Sequence, residues 1–282
     1  MFWEYIKACI YGIIEGITEW LPISSTGHLI LLERVLSLDI GGSAELNREF
    51  RSMFDVVIQL GAILAVLCLY IKELLPFGKE KKAVWSLWGR LVLATAPAAL
   101  IGLIADALTK KHFGTDLDTL LFTPQVVASA LIVYGVLFIL VERLTKNSGA
   151  DKEITAKTAF AIGCFQALAI VPGTSRSGAT ILGARILGIS REKAARFSFF
   201  AAIPVIAAAS LLKSVDFIGY ATESSLTLPP SAWLVLAIAF FTAFAVSMLT
   251  ISLLTDFVKK HSFIPFGVYR IILGILVFIL IK

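Results

Sequence analysis

Charge is scarce in this sequence. Only 16% of its 282 residues are charged while 58% are hydrophobic, against about a quarter and about half in soluble domains, which excludes an ordinary water-soluble domain. Cysteine is nearly as scarce. Cys9, Cys68 and Cys164 stand singly in apolar surroundings without paired spacing, which argues against a disulfide framework or a zinc site and reads them as small buried hydrophobes. The opening stretch "MFWEYIKACIYGIIEG" lacks a basic n-region and a small-x-small cleavage site, so it reads as mature protein rather than a leader. The net charge of +5 is no nucleic-acid footprint either, because the basic residues sit in short loops, where they act as orientation signals. No nucleic-acid partner is expected.

What the chain does have is apolar length. Runs such as "VVIQLGAILAVLCLYI" and "WLVLAIAFFTAFAVSMLTISLL" suit bilayer spans, and lipid contact demands that each satisfies its own backbone polar groups, so an all-α polytopic membrane protein is expected. The spans fall near 53–71, 88–106, 124–143, 197–213, 231–255 and 263–281, while 8–36 and 158–189 are broken midway by Pro, Gly and Ser. Two short helices around such a break suit a re-entrant hairpin covered by protein or water. The order of features recurs. Placing "EGITEWLPISSTGH" over "QALAIVPGTSRSGAT" brings Pro22 onto Pro172 and Ser25 onto Ser175, and "FDVVIQLGAILAVLCLYIKEL" echoes "FSFFAAIPVIAAASLLKSV".

Alternate loops differ in charge. Those with Lys72, Lys79, Lys81, Lys82 and Arg90, with Arg143, Lys146, Lys152 and Lys157, with Arg191, Lys193 and Arg196, and with Lys259 and Lys260 are basic. The others carry Asp39, Glu45 and Glu49, then Asp116 and Asp118, then Asp216 and Glu223. With the basic set cytoplasmic, the first hairpin enters from outside and the second from the cytoplasm. The expectation is one integral membrane domain built as an inverted-topology repeat. Residues 1–143 and 158–282 each supply a re-entrant helical hairpin and three transmembrane helices, and the broken helices face each other near the midplane.

The two breaks hold most of the chemistry. Glu15 and Glu19 lie four apart, with Cβ atoms about 6 Å apart on a helix. Two carboxylates that close in a low-dielectric site leave one holding a proton or both sharing a cation, which suits acid/base work or a divalent-metal pair. Ser24, Ser25 and Thr26 follow Pro22 at the start of the next helix, where each hydroxyl can cap and the free N–H groups form an anion site. His28 stands one turn inside, so Ser25 with His28 or Glu19 is a candidate nucleophile–base pair. In the second break Arg176 is flanked by Ser175 and Ser177, with Thr180 one turn on. Its fork matches phosphate oxygens, or alternatively pairs with Glu15 or Glu19. Gln59 and Gln166 read as interhelical hydrogen-bonders, His112 and His261 as surface residues, Arg270 as a side chain snorkelling to the interface, and Gly61 and Pro204 as packing positions. This inventory suits phosphoryl transfer on a lipid phosphate or diphosphate.

The pair "EGITEWLPISSTGH" and "PGTSRSGAT", with "FDVVIQLGAILAV" and "SFIPFGVYR" in order, resembles the bacterial undecaprenyl-diphosphate phosphatases, the bacitracin-resistance family, along nearly the whole chain. The resemblance implies hydrolysis of undecaprenyl diphosphate to the monophosphate and inorganic phosphate in a bacterial plasma membrane, recycling the carrier lipid of cell-wall synthesis. It implies chemistry by Glu15, Glu19, Ser25 and His28, a diphosphate held by Arg176, and help from a divalent cation, Mg2+ or Ca2+. The spaced carboxylates Glu15 and Glu19 are its expected ligands, and Ser24, Thr26, Ser175, Ser177 and Thr180 are expected to bind the diphosphate with Arg176. The site is expected to open to the periplasmic or extracellular side, and a homodimer is neither required nor excluded. The resemblance leaves the nucleophile open among Ser25, His28 and water. The rival function is transport or flipping of an anionic polyprenyl phosphate lipid, because inverted repeats with broken helices also build transporters. The other membrane lipid-phosphatase class places a histidine and an aspartate after its Ser-Arg element, and "SGATILGARILG" after Arg176 has neither.

Overall fold

Serine, threonine and proline punctuate the apolar runs and set where helices begin. In the computed structural model, residues 1–76, 81–145, 152–224 and 228–280 are described, and among them the chain is helical with no strand. Lys79, Lys146 and the expected end of the last span at Ile281 lie outside those residues. In chain order the helices are α1 (Phe2–Thr18), α2 (Ser25–Val35), α3 (Ala44–Leu69), α4 (Ile71–Leu74), α5 (Lys81–Phe113), α6 (Leu117–Leu121), α7 (Pro124–Leu144), α8 (Ala156–Ala167), α9 (Arg176–Ile186), α10 (Arg191–Glu223), α11 (Pro230–Lys260) and α12 (Ile264–Leu280). Side chains of Ser43, Thr123, Thr155 and Ser190 accept from the first turns of α3, α7, α8 and α10, satisfying donors that the helix itself leaves free. Pro124 and Pro230 occupy first turns, where a missing N–H does no harm. The turns capped by Ser43 and Ser190 carry α3 and α10 beyond the apolar runs that mark them in the sequence, and α5 and α11 also outrun theirs.

Among the described residues five helices, α3, α5, α7, α10 and α11, are long and apolar enough to cross a membrane. α12 has 17 residues, about 25 Å of helix. The chain is therefore a multi-pass membrane protein. α1 with α2, and α8 with α9, instead form hairpins whose outer ends come together. Lys7 Nζ donates to the Ser37 carbonyl at 2.6 Å, and the Lys152 N–H to the Gly188 carbonyl at 3.4 Å. Packing then joins the two halves of the chain. α1 lies along α11 and α8 along α5, while α3 packs on α10 and α7 on α12.

The α7–α12 crossing is close because both helices bring glycine to it. A Cβ on Gly135 would stand 2.7 Å from the Gly267 carbonyl oxygen, and one on Gly267 would stand 2.7 Å from that of Gly135. This fixes α12 where Arg270, one turn on, reaches the helix breaks. Gly61 serves α3 in the same way against the Phe240 carbonyl of α11. Each hairpin is also tied at its outer end by an ion cluster. Glu142, almost fully buried, takes Arg185 Nε at 3.0 Å and Arg191 Nη2 at 2.7 Å. Arg51 joins Glu33 and Asp55 under the Tyr11 ring. Removing one member of a buried cluster leaves an uncompensated charge. Cysteine departs from its expected place: Cys68 and Cys164 are exposed on the outer surface of α3 and α8, and Cys9 is half-buried. A small thiol is apolar enough to stand on the outside of a membrane bundle.

Candidate active site

Both breaks end in a serine with unusual backbone geometry. Ser24 and Ser175 have φ of 75° and 71°, the left-handed region that residues with a Cβ seldom enter. Each side-chain oxygen accepts the N–H three residues on, from Gly27 at 3.3 Å and from Gly178 at 3.1 Å. The geometry corrects the register that the letters imply, pairing Ser24 rather than Ser25 with Ser175. The cause is one extra residue in the second break, "PGTS" against "PIS". That residue is Gly173, at φ 91°, where a Cβ would stand 2.5 Å from the Val127 carbonyl oxygen. The counterpart of Ser25 at the first position of its helix is consequently Arg176.

These two first-position side chains meet on one carboxylate. Glu19 caps the C-terminal end of α1, its N–H bonded to the Glu15 carbonyl. Ser25 Oγ donates to Glu19 Oε2 at 2.8 Å, and Arg176 Nη2 donates to Glu19 Oε1 at 2.9 Å. Arg176 Nη1 is braced by the Ser198 carbonyl of α10 at 2.7 Å. Its Nε is buried and without a hydrogen-bond partner. The salt bridge named as an alternative for Arg176 is thus present, and it joins the two breaks.

His28 makes no hydrogen bond to Ser25. Its Nδ1 lies 2.7 Å from the Ser24 carbonyl, which requires an N–H there and leaves Nε2 as the basic nitrogen, 2.7 Å from the Tyr269 hydroxyl. Of the two bases available to Ser25, Glu19 is the one in contact. Thr26 is half-buried beside them. Ser177 and Thr180 turn inward. Ser177 Oγ reaches the Glu19 and Leu21 carbonyls at 3.1 and 3.3 Å, and Thr180 Oγ1 is shared among the Arg176 and Ser177 carbonyls and Ser198 Oγ. Ser177 holds α9 against the first break, and Thr180 holds it against α10. Gln166 donates to the Ala94 carbonyl across α8 and α5, and His112 and His261 are exposed.

Glu15 is fully buried, and neither carboxylate oxygen has a hydrogen-bond partner. A buried carboxylate in that position is costly unless a proton or a cation neutralises it. Two free hard oxygens one turn from Glu19 fit a divalent cation of the Mg2+ or Ca2+ type. Among the described residues no group of three or more His, Cys, Asp and Glu side chains surrounds such a point, so substrate phosphate and water would complete the coordination, as is usual for Mg2+.

One residue read differently in the sequence belongs here. Arg270 does not snorkel; it is 0% exposed. Its Nη1 donates to the Pro22 carbonyl at 3.1 Å, and its Nη2 to those of Gly173 and Thr174 at 2.7 and 2.9 Å. One guanidinium thereby joins both breaks, with Tyr134 5.6 Å beneath it. An arginine within an apolar span is itself the signal, because so costly a group is retained where it has partners. Tyr269, its neighbour, carries the hydroxyl that faces His28. Arg270→Lys is expected to lower kcat about tenfold to a hundredfold with KM changed less than threefold, since an ammonium cannot serve three carbonyls spread over two loops. Steady-state kinetics beside a melting curve checks this; equal kcat in a folded variant would remove Arg270 from the positioning of the breaks.

Buried acid, hydroxyl, imidazole and guanidinium therefore converge where two capped helices start. Such a set can accept a proton from a hydroxyl, hold phosphoryl oxygens and neutralise developing charge.

The family model described as bacitracin resistance protein BacA matches residues 8–276. The undecaprenyl-diphosphatase of Streptococcus mutans serotype c is 48% identical over 287 residues, covering 98% of this chain and 95% of its own. That of Acetivibrio thermocellus is 48% identical over 283 residues, covering 97% and 96%. That of Enterococcus faecalis is 46% identical, also over 283 residues.

Proposed function

The chain belongs to the bacitracin resistance protein BacA family, and from that membership we propose that it hydrolyses undecaprenyl diphosphate to undecaprenyl phosphate and inorganic phosphate. The product returns the carrier lipid to cell-wall synthesis, and loss of the diphosphate removes the group on which bacitracin acts. The observation that carries the mechanism is the junction of Ser25 and Arg176 on Glu19.

In this reading substrate phosphate displaces Glu19 from Arg176, whose fork and unpartnered Nε take phosphoryl oxygens. Ser25 Oγ attacks the terminal phosphorus and gives its proton to Glu19. The bond from that phosphorus to the bridging oxygen breaks, undecaprenyl phosphate leaves, and a phosphoserine remains. Water then attacks the phosphoserine, with His28 Nε2 taking its proton; as the bond from phosphorus to Ser25 Oγ breaks, Glu19 returns its proton to Oγ and inorganic phosphate leaves. Glu15 with Glu19 would hold a divalent cation, which when bound adds positive charge against the phosphoryl oxygens. Ser24 and Ser175 aim the N–H groups of α2 and α9 into the same space.

The finer architecture is part of the same proposal. The two halves form an inverted-topology repeat, a reading supported by the matched serine caps and by the exchanged packing of α1 on α11 and α8 on α5. Positive-inside counting puts the basic loops in the cytoplasm of a bacterial plasma membrane and opens the site to the opposite side.

The test is phosphate release from undecaprenyl diphosphate by purified protein in detergent, with and without a chelator. Release that stops with the chelator and returns with Mg2+ or Ca2+ is expected. No release from folded protein supplied with lipid and metal would instead favour transport of an anionic lipid.

A further inference from the structure

A second concentration of charge lies apart from the helix breaks and takes no part in the reaction above. A cavity of about 420 Å³ opens on the face that carries the basic loops, between α4, the start of α5, the segment before α8 and the first turns of α10. Five cationic side chains reach it, Lys72, Lys81, Arg90, Lys193 and Arg196, against the carboxylates of Glu73 and Glu153. Among the described residues these cations outnumber the two carboxylates. Glu73 is paired with Arg196, and Glu153 stands 3.9 Å from Lys193 Nζ. Arg90 donates to the Ser86 and Ile154 carbonyls. Lys72 and Lys81 form no ion pair among the described residues and are exposed.

Arg196 is the built element of this cavity. Its guanidinium is 5.2 Å from the Tyr70 ring centre and 5.7 Å from that of Phe200, and its Nε is buried with no hydrogen-bond partner. The same side chain lines the cavity and is partly exposed there, so its outer N–H groups can take an anionic oxygen. The wall beside it is apolar, formed by Leu87, Phe197 and Phe200. A small inorganic anion gains nothing from that wall, whereas an amphiphile gains burial.

We propose that this cavity binds the phosphate-bearing headgroup of an anionic lipid. Phosphoryl oxygens lie on Arg196 and the two lysines, and the start of the lipid chain lies on the Phe197–Phe200 wall. The proposal does not depend on which reaction the helix breaks carry out. Its occupant would nevertheless touch the turn of α10 that serves them, because Ser198, two residues beyond Arg196, braces Arg176.

The experiment titrates the purified full-length protein in detergent, by calorimetry, with dioctanoyl phosphatidic acid, with dioctanoylglycerol and with inorganic phosphate. Wild type is compared with Lys72→Glu/Lys81→Glu and with Arg176→Ala. Phosphatidic acid is expected to bind wild type and Arg176→Ala alike, and at least about tenfold more weakly to the double variant, given the attraction of a surface lysine for anionic lipid. Dioctanoylglycerol should not bind, and the double variant should turn over undecaprenyl diphosphate at the wild-type rate. Affinity for phosphatidic acid unchanged in the double variant, or lost in Arg176→Ala alone, would overturn the site. Inorganic phosphate binding as tightly as the lipid would overturn the lipid assignment.

Discussion

Arg176→Lys is expected to lower kcat/KM for undecaprenyl diphosphate by about 10³-fold, the scale on which preorganised charge stabilisation of a phosphoryl group acts. Lysine keeps the charge, so a merely electrostatic role would survive the change. It lacks the fork that in the resting protein spans Glu19 Oε1 and the Ser198 carbonyl at 2.9 and 2.7 Å, and it has no counterpart of the unpartnered Nε. An ammonium can follow only one of these directions at a time. The variant should remain folded, because α9 stays anchored through Ser177 and Thr180 and Arg270 still holds the Gly173 and Thr174 carbonyls. Activity within a few-fold of wild type would mean that the diphosphate is held elsewhere.

The second large effect is expected at Ser25. Ser25→Ala should reduce kcat by about 10⁴-fold or more, as removal of an attacking group does when the surrounding charge stabilisation is left intact. Ser25 Oγ already rests on Glu19 Oε2, so its proton has a destination before substrate arrives. The cap of α2 belongs to Ser24, which makes Ser25→Ala a small perturbation of the fold. Helix content and melting temperature near the wild-type values, with turnover gone, is the expected pair of measurements. Retained turnover in that variant would transfer the attack to His28 or to water.

Much of this site is legible in the sequence because polar residues are conspicuous in an apolar chain. Glu19, Ser25, His28 and Arg176 stand out for that reason, and the helix breaks follow from Pro22, Pro172 and the serines beside them. The register of the breaks is less legible. Gly173 lengthens the second loop by one residue, and letters alone align serine with serine, although the cap geometry aligns Ser25 with Arg176. Arg270 was hidden by its partners, which are three backbone carbonyls and therefore leave no trace in residue identity. An isolated arginine in an apolar span fits a snorkelling side chain equally well until the glycine crossing of α7 and α12 is known to bury it. Ser177 and Thr180 show the converse. Their position in the motif points to ligand, while their hydroxyls are committed to carbonyls and to Ser198.

The most direct measurement is to quench the purified protein within its first turnover on undecaprenyl diphosphate labelled at the terminal phosphorus, and then to map the label by peptide sequencing under conditions that preserve phosphoserine and phosphohistidine. The mechanism requires label on Ser25, absent from Ser25→Ala and accumulating in His28→Ala, where attack of water on the phosphoserine is slowed. Label on His28, or phosphate released with no labelled peptide at any time, would contradict it.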